Sequence, residues 1–411
     1  MSNQWINTDW VCMEVLRLLV NKLVVADYMN TSYEKNFTQD FAVGSTVRVK
    51  FPQRMTVTEG MGYAPQGINR IYTTVSLDKW AQSSFEWDDY EQAVNLERTE
   101  TELRENYWEP AAAALAQYFD STAAFFAYRN ASNVVGALGT DPTSVSTYYS
   151  ARQRLEILAA QPGKRAMLVS SSMMATLGAN ITTIFNPGDE ISKMFKEGYL
   201  GRLAGFDFFE SQSLYTHTAG TAATGGVTVT GANQSGTSLL VTGTASQTIK
   251  AGEKFAVVNA NQVNPMTRRV AGPAFAKNFS VAADVTLTGG TDTVTLTEPM
   301  FGPESQYANL DALMANGAAL TFWPGTTSPS GKVGTVGLAM NKFAFAMVNG
   351  QLYKPKAVEA SGRATDPETG ISVRKAFAWD SVRSMTIHRF DSLAGFGNLY
   401  NGNNVTCIVG A

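Results

Sequence analysis

Only two histidines, His217 and His388, are available as general bases near neutrality, and neither stands in a recognisable catalytic spacing. His388 falls in the apolar-periodic run Met385 to Phe390 and reads as a structural strand residue. His217 sits at a threonine-rich junction and is expected at the surface. Gly198, Gly201 and Gly205 lack both the G-x-G-x-x-G spacing and the Lys-Ser/Thr pair of a phosphate loop, so they read as turn glycines. Asp88, Asp89, Glu91 and the carboxylates from Glu97 to Glu109 could act as paired acids or hold a metal ion. A solvated or interface-facing acidic stripe is the better reading, because charge runs on helices usually serve that purpose. Cys12 and Cys407 lie near opposite ends of the chain and form no CxxC motif; they are expected to be free, buried thiols. No residue is therefore assigned to catalysis, to a cofactor or to a metal, and the chain is read as a non-enzyme without cofactors.

Composition narrows the remaining classes. With 44% hydrophobic and 16% charged residues, the 411-residue chain can build a sizeable core and is expected to fold as two or three domains. A net charge of −3 lacks the basic footprint of a protein that neutralises many phosphates, so direct genome binding is disfavoured. The apolar stretch from Trp10 to Val25 is interrupted by Glu14, Arg17, Asn21 and Lys22, which argues against a signal peptide and a membrane span. Val11, Val15, Leu18 and Leu19 recur at helical spacing instead. They predict an amphipathic arm that docks against another surface, such as a long helix of the chain or a neighbour.

The elements follow from periodicity and breakers. From Gly44 to Lys79 two strands flank a tip, Glu59 to Gly67, that holds three glycines and a proline, which predicts a long hairpin in need of a neighbour. Residues 96 to 129 turn helical over an alanine-rich background, with an interruption expected near Pro110. A second helix is expected from about Ser144 to Ala160. A buried strand at Met167 to Val169 follows, and serines 170 to 172 are placed to cap a short helix carrying Met173, Met174 and Leu177. From His217 to Pro299 threonine and paired glycines become frequent and alternating runs appear, which predicts an inserted all-β module. Beyond a linker-like stretch, Phe343 to Val348 and Gln351 to Val358 are expected to flank an Asn349-Gly350 hairpin turn. Asp366 to Gly370 supplies a second tight turn.

At this point the sequence resembles the coat proteins of P22-like podophages, a branch of the HK97-fold major capsid proteins. The resemblance rests on an ordered set of runs: Ala251 to Phe255, Val263 to Arg268, Phe279 to Val281 and Tyr307 to Leu310 in the insertion, Gly198 to Ser211 before it, and Thr369 to Arg374 with Arg389, Phe390, Asp391, Leu393 and Gly395 after it. It implies an α+β HK97-like fold with an N-terminal arm (1–43), an E-loop hairpin (44–79) and a peripheral domain with a spine helix (80–144). An axial domain (145–216), an inserted β-barrel-like domain (217–323) and a return to the axial and peripheral domains (324–411) complete it. It further implies hexamers and pentamers of the chain itself, partnership with scaffolding and portal proteins, an outer face open to a decoration protein, and a virion shell enclosing double-stranded DNA. That shell would be made in the host bacterial cytoplasm and would involve no membrane.

Charge adds a candidate contact between subunits. The hairpin carries Arg48, Lys50, Arg54, Arg70 and Lys79 against Glu59 and Asp78, a net +3. Residues 86 to 109 carry nine acids, among them Glu97, Glu100, Glu102 and Glu105, against Arg98 and Arg104, a net −7. Opposite signs suit docking of one subunit's hairpin on the next subunit's acidic stretch. The rival class is a secreted carbohydrate-binding or hydrolytic β-rich protein, prompted by the threonine-rich module and seven tryptophans. It would need a signal sequence or a paired-acid cleft, and neither is found in the sequence.

Overall fold

The computed structural model describes residues 8–32, 46–50, 55, 59–62, 65, 67, 71–88, 102, 104–161, 163–181, 201–270, 275–355, 358, 360–366 and 369–411. The fold is α+β. Its contacts divide it into two units, one drawn from residues 1–49, 73–123 and 345–397, the other from 50–72, 124–344 and 398–411.

The first unit is built on an antiparallel sheet ordered Phe345–Gly350, Met385–Asn398, Ser372–Asp380, Ala360–Thr365, with Lys79–Asp88 paired to Met385–Asn398 over ten residues. Lys79–Asp88 alternates as its sequence requires. Trp80, Gln82, Ser84, Glu86 and Asp88 are exposed, while Ala81 is buried and Phe85 and Trp87 are half-buried on the other face. That inner face is aromatic. His388 stacks on Phe85 and Phe377 with ring centroids 5.1 and 5.4 Å away, and Trp87 meets it edge-on at 4.7 Å. The strand reading of His388 holds. Burial and the neighbouring Lys375 charge bring its pKa down to about 4, so it is a neutral packing group at physiological pH.

Helix α1, Thr8–Lys22, buries Val11, Cys12, Val15, Leu16 and Leu19 against Ala360–Thr365 and Ser372–Asp380. The arm is helical as expected, but its main platform is this sheet. The buried stripe also runs through Leu16 rather than Leu18, which is only half-buried. Gly362 permits the approach: a Cβ there would lie 2.7 Å from the Thr8 carbonyl group. Asp9 accepts from the Arg363 amide and from Lys354 Nζ, each at 3.0 Å. Past the helix end, the Asp120 carboxylate accepts the amides of Val24, Val25 and Ala26 at 2.9, 3.1 and 3.0 Å. The buried part of the link to the spine helix is therefore one carboxylate. Burial lifts its pKa above the ordinary value despite the three donors.

The spine helix, α2, spans Glu109–Asn130 and follows a π-type turn at Arg104–Trp108. Pro110 comes just after that π-type turn, where the regular helical ladder is broken, in keeping with the interruption expected near it. Residues 89–101 and 103 lie outside the described set.

The second unit centres on a mixed sheet ordered Asn133–Gly136, Val405–Val409, Val333–Asn341, Arg165–Val169, Phe206–Glu210, Arg202–Leu203, with Thr216–Thr218 also paired to Val333–Asn341. Helices α3, Val145–Ile157, and α4, Ser171–Ile181, cover it through Tyr148, Leu155, Met173 and Leu177. Both have serine caps, the second as expected from serines 170 to 172: Ser144 Oγ accepts from Ser146 N, and Ser170 Oγ from Met173 N. Gly201 and Gly205 have φ of +63° and +84°, the left-handed turn conformation that glycine favours; Gly198 lies outside the described residues. Between Thr228 and Phe322 the described strands pair among themselves in three small antiparallel sheets.

One turn expectation fails. Asn349 and Gly350 end the strand Phe345–Gly350, and no strand follows at 351–355. Gly350 is there because the side chains of Leu77 and Leu393 already come within 3.0 Å of where its Cβ would sit, not because a hairpin turns there. The turn at Asp366 to Gly370 is present, with Gly370 at φ +70° and its amide donating to the Asp366 carbonyl at 2.8 Å.

Candidate assembly surfaces and buried polar centres

The strands Thr46–Lys50 and Tyr72–Ser76 pair, and alternation exposes Arg48 and Lys50 on one face of the first. Lys79 opens the next strand and pairs with Asp78 at 2.8 Å. Glu105 is exposed in the turn before the spine helix, and Glu102 is exposed just ahead of it. Arg54, Arg70, Glu97 and Glu100 lie outside the described residues. Two ion pairs that periodicity did not reveal tie the arm down at the same end of the spine: Lys22 to Glu109 at 3.2 Å and Arg104 to Glu14 at 2.9 Å. Each joins partly exposed groups and contributes a few tenths of a kcal/mol to about 1 kcal/mol.

Deeper anchors were invisible in the sequence because their partners are far apart along the chain. In the first unit, fully buried Asp391 accepts from Arg374, from Arg389 Nε at 2.6 Å and from Trp80 Nε1 at 3.2 Å. It fixes the outer face of the sheet, where Trp80 is 51% exposed beside the Arg374 guanidinium, 5.5 Å from its ring.

In the second unit a polar junction closes on the C-terminal turn of α2. Fully buried Lys254 donates to the Tyr128 carbonyl and to Ser280 Oγ, both at 2.7 Å, and Ser280 Oγ donates to the Arg129 carbonyl at 2.7 Å. A cation there satisfies carbonyls that a helix end leaves free and complements its dipole. Tyr128 Oη meets His217 Nδ1 at 2.5 Å, and His217 packs on Trp323 with ring centroids 4.9 Å apart. His217 is 2% exposed, so the surface expectation for it is overturned. Its neighbours in space, Tyr128 and Trp323, give it a dry pocket that the surrounding threonines did not suggest.

Burial pulls the Lys254 amine from 10.5 down to about 8 and raises the Tyr128 phenol well above its ordinary value. The folded pKa of Lys254 lies below the unfolded one. Its contribution is therefore fully present above 10.5 and is lost as pH falls through about 8. Wild-type protein is expected to gain about 2 kcal/mol of unfolding free energy from this group between pH 7.5 and 9.5. Denaturant titrations at pH 7.5 and 9.5 test this: Lys254→Met should abolish most of the gain, and an identical gain in the variant would refute the assignment.

The sequence matches the family described as P22 coat protein, gene protein 5, over residues 8–396. No curated protein matches it. Among solved structures it is similar to a chain of Mycobacterium phage Che8, with 14% identity, coverage of 94% of this chain and 90% of that chain, and a TM-score of 0.48. It is also similar to a chain in the capsid structure of the cyanophage P-SCSP1u, with 12% identity, coverage of 95% and 88%, and a TM-score of 0.46. A third similarity is to a chain in the asymmetric unit of the bacteriophage PhiM1 mature capsid, with 11% identity, coverage of 89% and 82%, and a TM-score of 0.40. The family match carries the assignment, and it defines a structural subunit of a viral shell. The chain belongs to the P22 coat protein family and is a major capsid protein. Nothing supports the secreted carbohydrate-binding or hydrolytic alternative. No helix among the described residues is long and apolar enough to cross a membrane.

Proposed function

We propose that this coat protein assembles, with a scaffolding protein, into hexamers and pentamers of an HK97-like icosahedral shell, and that its role is non-catalytic. In this reading residues 44–79 are the E-loop, 80–144 the peripheral domain with its spine helix, and 217–323 an inserted domain, with the axial domain drawn from 145–216 and the return from 324–411. A portal occupies one vertex, decoration proteins can bind outside, and double-stranded DNA is enclosed without sequence-specific contacts. Assembly takes place in the host cytoplasm.

The observation that supports a defined contact is the opposite charge of two exposed surfaces. Arg48 and Lys50 stand out from the hairpin, and Glu102 and Glu105 from the approach to the spine helix. The basic hairpin of one subunit lies over the acidic stretch of the next, where complementary potential sets register and speeds encounter more than it adds affinity. Arg54 and Arg70 are the preferred grips, since a guanidinium can hold a carboxylate through two parallel hydrogen bonds.

Reversing both arginines to glutamate should leave the subunit folded and block shell formation. Changing Glu102 and Glu105 to arginine in the same chain should restore part of it. Light scattering at low salt, where screening is weakest, reads the outcome; assembly of the Arg54→Glu/Arg70→Glu variant at the wild-type rate would eliminate this contact.

A further inference from the structure

Lys277, Glu298 and Asn309 form a closed polar cluster within the threonine-rich β region. Lys277 lies in the strand Ala276–Ser280 and Glu298 in Thr291–Met300. Their side chains are 0% and 3% exposed, and Lys277 Nζ donates to Glu298 Oε2 at 2.6 Å. Asn309, 6% exposed, donates from Nδ2 to the other carboxylate oxygen, Glu298 Oε1, at 3.2 Å and to the Pro299 carbonyl at 2.8 Å. The Phe301 amide donates to Asn309 Oδ1 at 2.8 Å. The Phe279 ring stands 5.8 Å from the lysine nitrogen.

A buried ion pair of this kind is a poor way to gain stability, because desolvation of the two charges offsets most of their attraction. As chemistry the arrangement is more complete. An amine nucleophile and a carboxamide are held by the two oxygens of one carboxylate, which is in hydrogen-bond reach of both the attacking and the leaving nitrogen. A fixed backbone N–H points at the amide oxygen, where negative charge would develop during attack. Burial keeps water, the competing nucleophile, away.

We propose that Lys277 and Asn309 become joined within the chain by an isopeptide bond, with Glu298 as the proton carrier. Glu298 takes a proton from the Lys277 ammonium, and the freed lone pair attacks Asn309 Cγ. The Nζ–Cγ bond forms while the Phe301 amide holds the tetrahedral oxygen. Glu298 delivers its proton to Nδ2, the Cγ–Nδ2 bond breaks and ammonia departs. The surplus proton on Nζ passes back to Glu298. An ammonium, a carboxylate and a primary amide thus become a secondary amide, a neutral carboxylic acid and ammonia, with no oxidant or reductant. The buried charges are gone at the end, which supplies the drive. The bond would staple the strand Ala276–Ser280 to the loop after Thr291–Met300.

The intact mass of the purified full-length protein tests this directly. Wild type should be lighter than its sequence by one ammonia, about 17 Da, and digestion should yield a branched peptide joining the segments that hold Lys277 and Asn309. Glu298→Gln, which keeps the shape but cannot carry the proton, and Lys277→Arg should both return to full sequence mass. Wild type at full sequence mass overturns the proposal without any variant having to fold. A mass loss that persists in Lys277→Arg would mean that Asn309 has cyclised on its own backbone, and would overturn it equally. Neither result depends on whether the chain builds shells.

Discussion

Replacing Asp391 with alanine is expected to destabilise the first unit by about 3–5 kcal/mol, because it breaks a buried charge cluster from its centre. The carboxylate is fully buried and is shared by Arg374 and Arg389, whose side chains are 13% and 41% exposed. Without it Arg374 keeps a charge it cannot move into water, and Trp80 Nε1 loses its acceptor. Arg389 can turn outward, which places the effect toward the lower end of that range. Asp391→Asn should recover part of the loss, since the amide oxygen can still accept one donor. Guanidinium unfolding curves for the three proteins decide the matter: the alanine variant should shift the midpoint downward without changing the slope. A shift within the error of wild type would mean that the cluster is ornamental.

Leu19→Asp is expected to have an effect of similar or larger size, about 4 kcal/mol or more, and Leu18→Asp a much smaller one. Leu19 is 0% exposed on the stripe that α1 lays on the sheet. The substitution removes a buried side chain and leaves an unpaired carboxylate in a dry site. Leu18 is half-buried, so an aspartate there can reach solvent. The contrast between neighbours is the test, since both changes carry the same charge and similar helix propensity. Particle yield and thermal midpoint should fall sharply for Leu19→Asp only. Equal loss in both variants would point to Leu18 facing a neighbouring subunit, and equal tolerance would remove the arm from the core.

Elements whose signal is local were readable in the sequence. Ser144 and Ser170 announce the starts of α3 and α4 because a cap acts within three residues of its own position. Asp366 to Gly370 announces a turn because glycine is needed at positive φ. The Asn349-Gly350 pair carries the same local signature, yet it lies in a strand. There the close approach of Leu77 and Leu393 selected the glycine, and that contact cannot be seen from adjacent residues. His217 was misplaced for the same reason: its burial comes from Tyr128, 89 residues earlier, and from Trp323.

The candidate contact surface was legible as charge, since net charge needs no partner to be counted. The centres that hold each unit together internally were not legible. Asp391 with Trp80, Lys254 with Tyr128 and Asp120 with Val25 join positions 311, 126 and 95 residues apart. Buried polar groups of this kind read as ordinary surface residues until the fold supplies their partners.

The central claim is that this chain builds shells, and electron cryo-microscopy of the purified full-length protein tests it most directly. Expressed with its own scaffolding protein, it should form closed icosahedral particles, with hexamers and pentamers visible in the averaged shell. Discrete monomers alone, with the scaffold present as well as without it, would contradict the account.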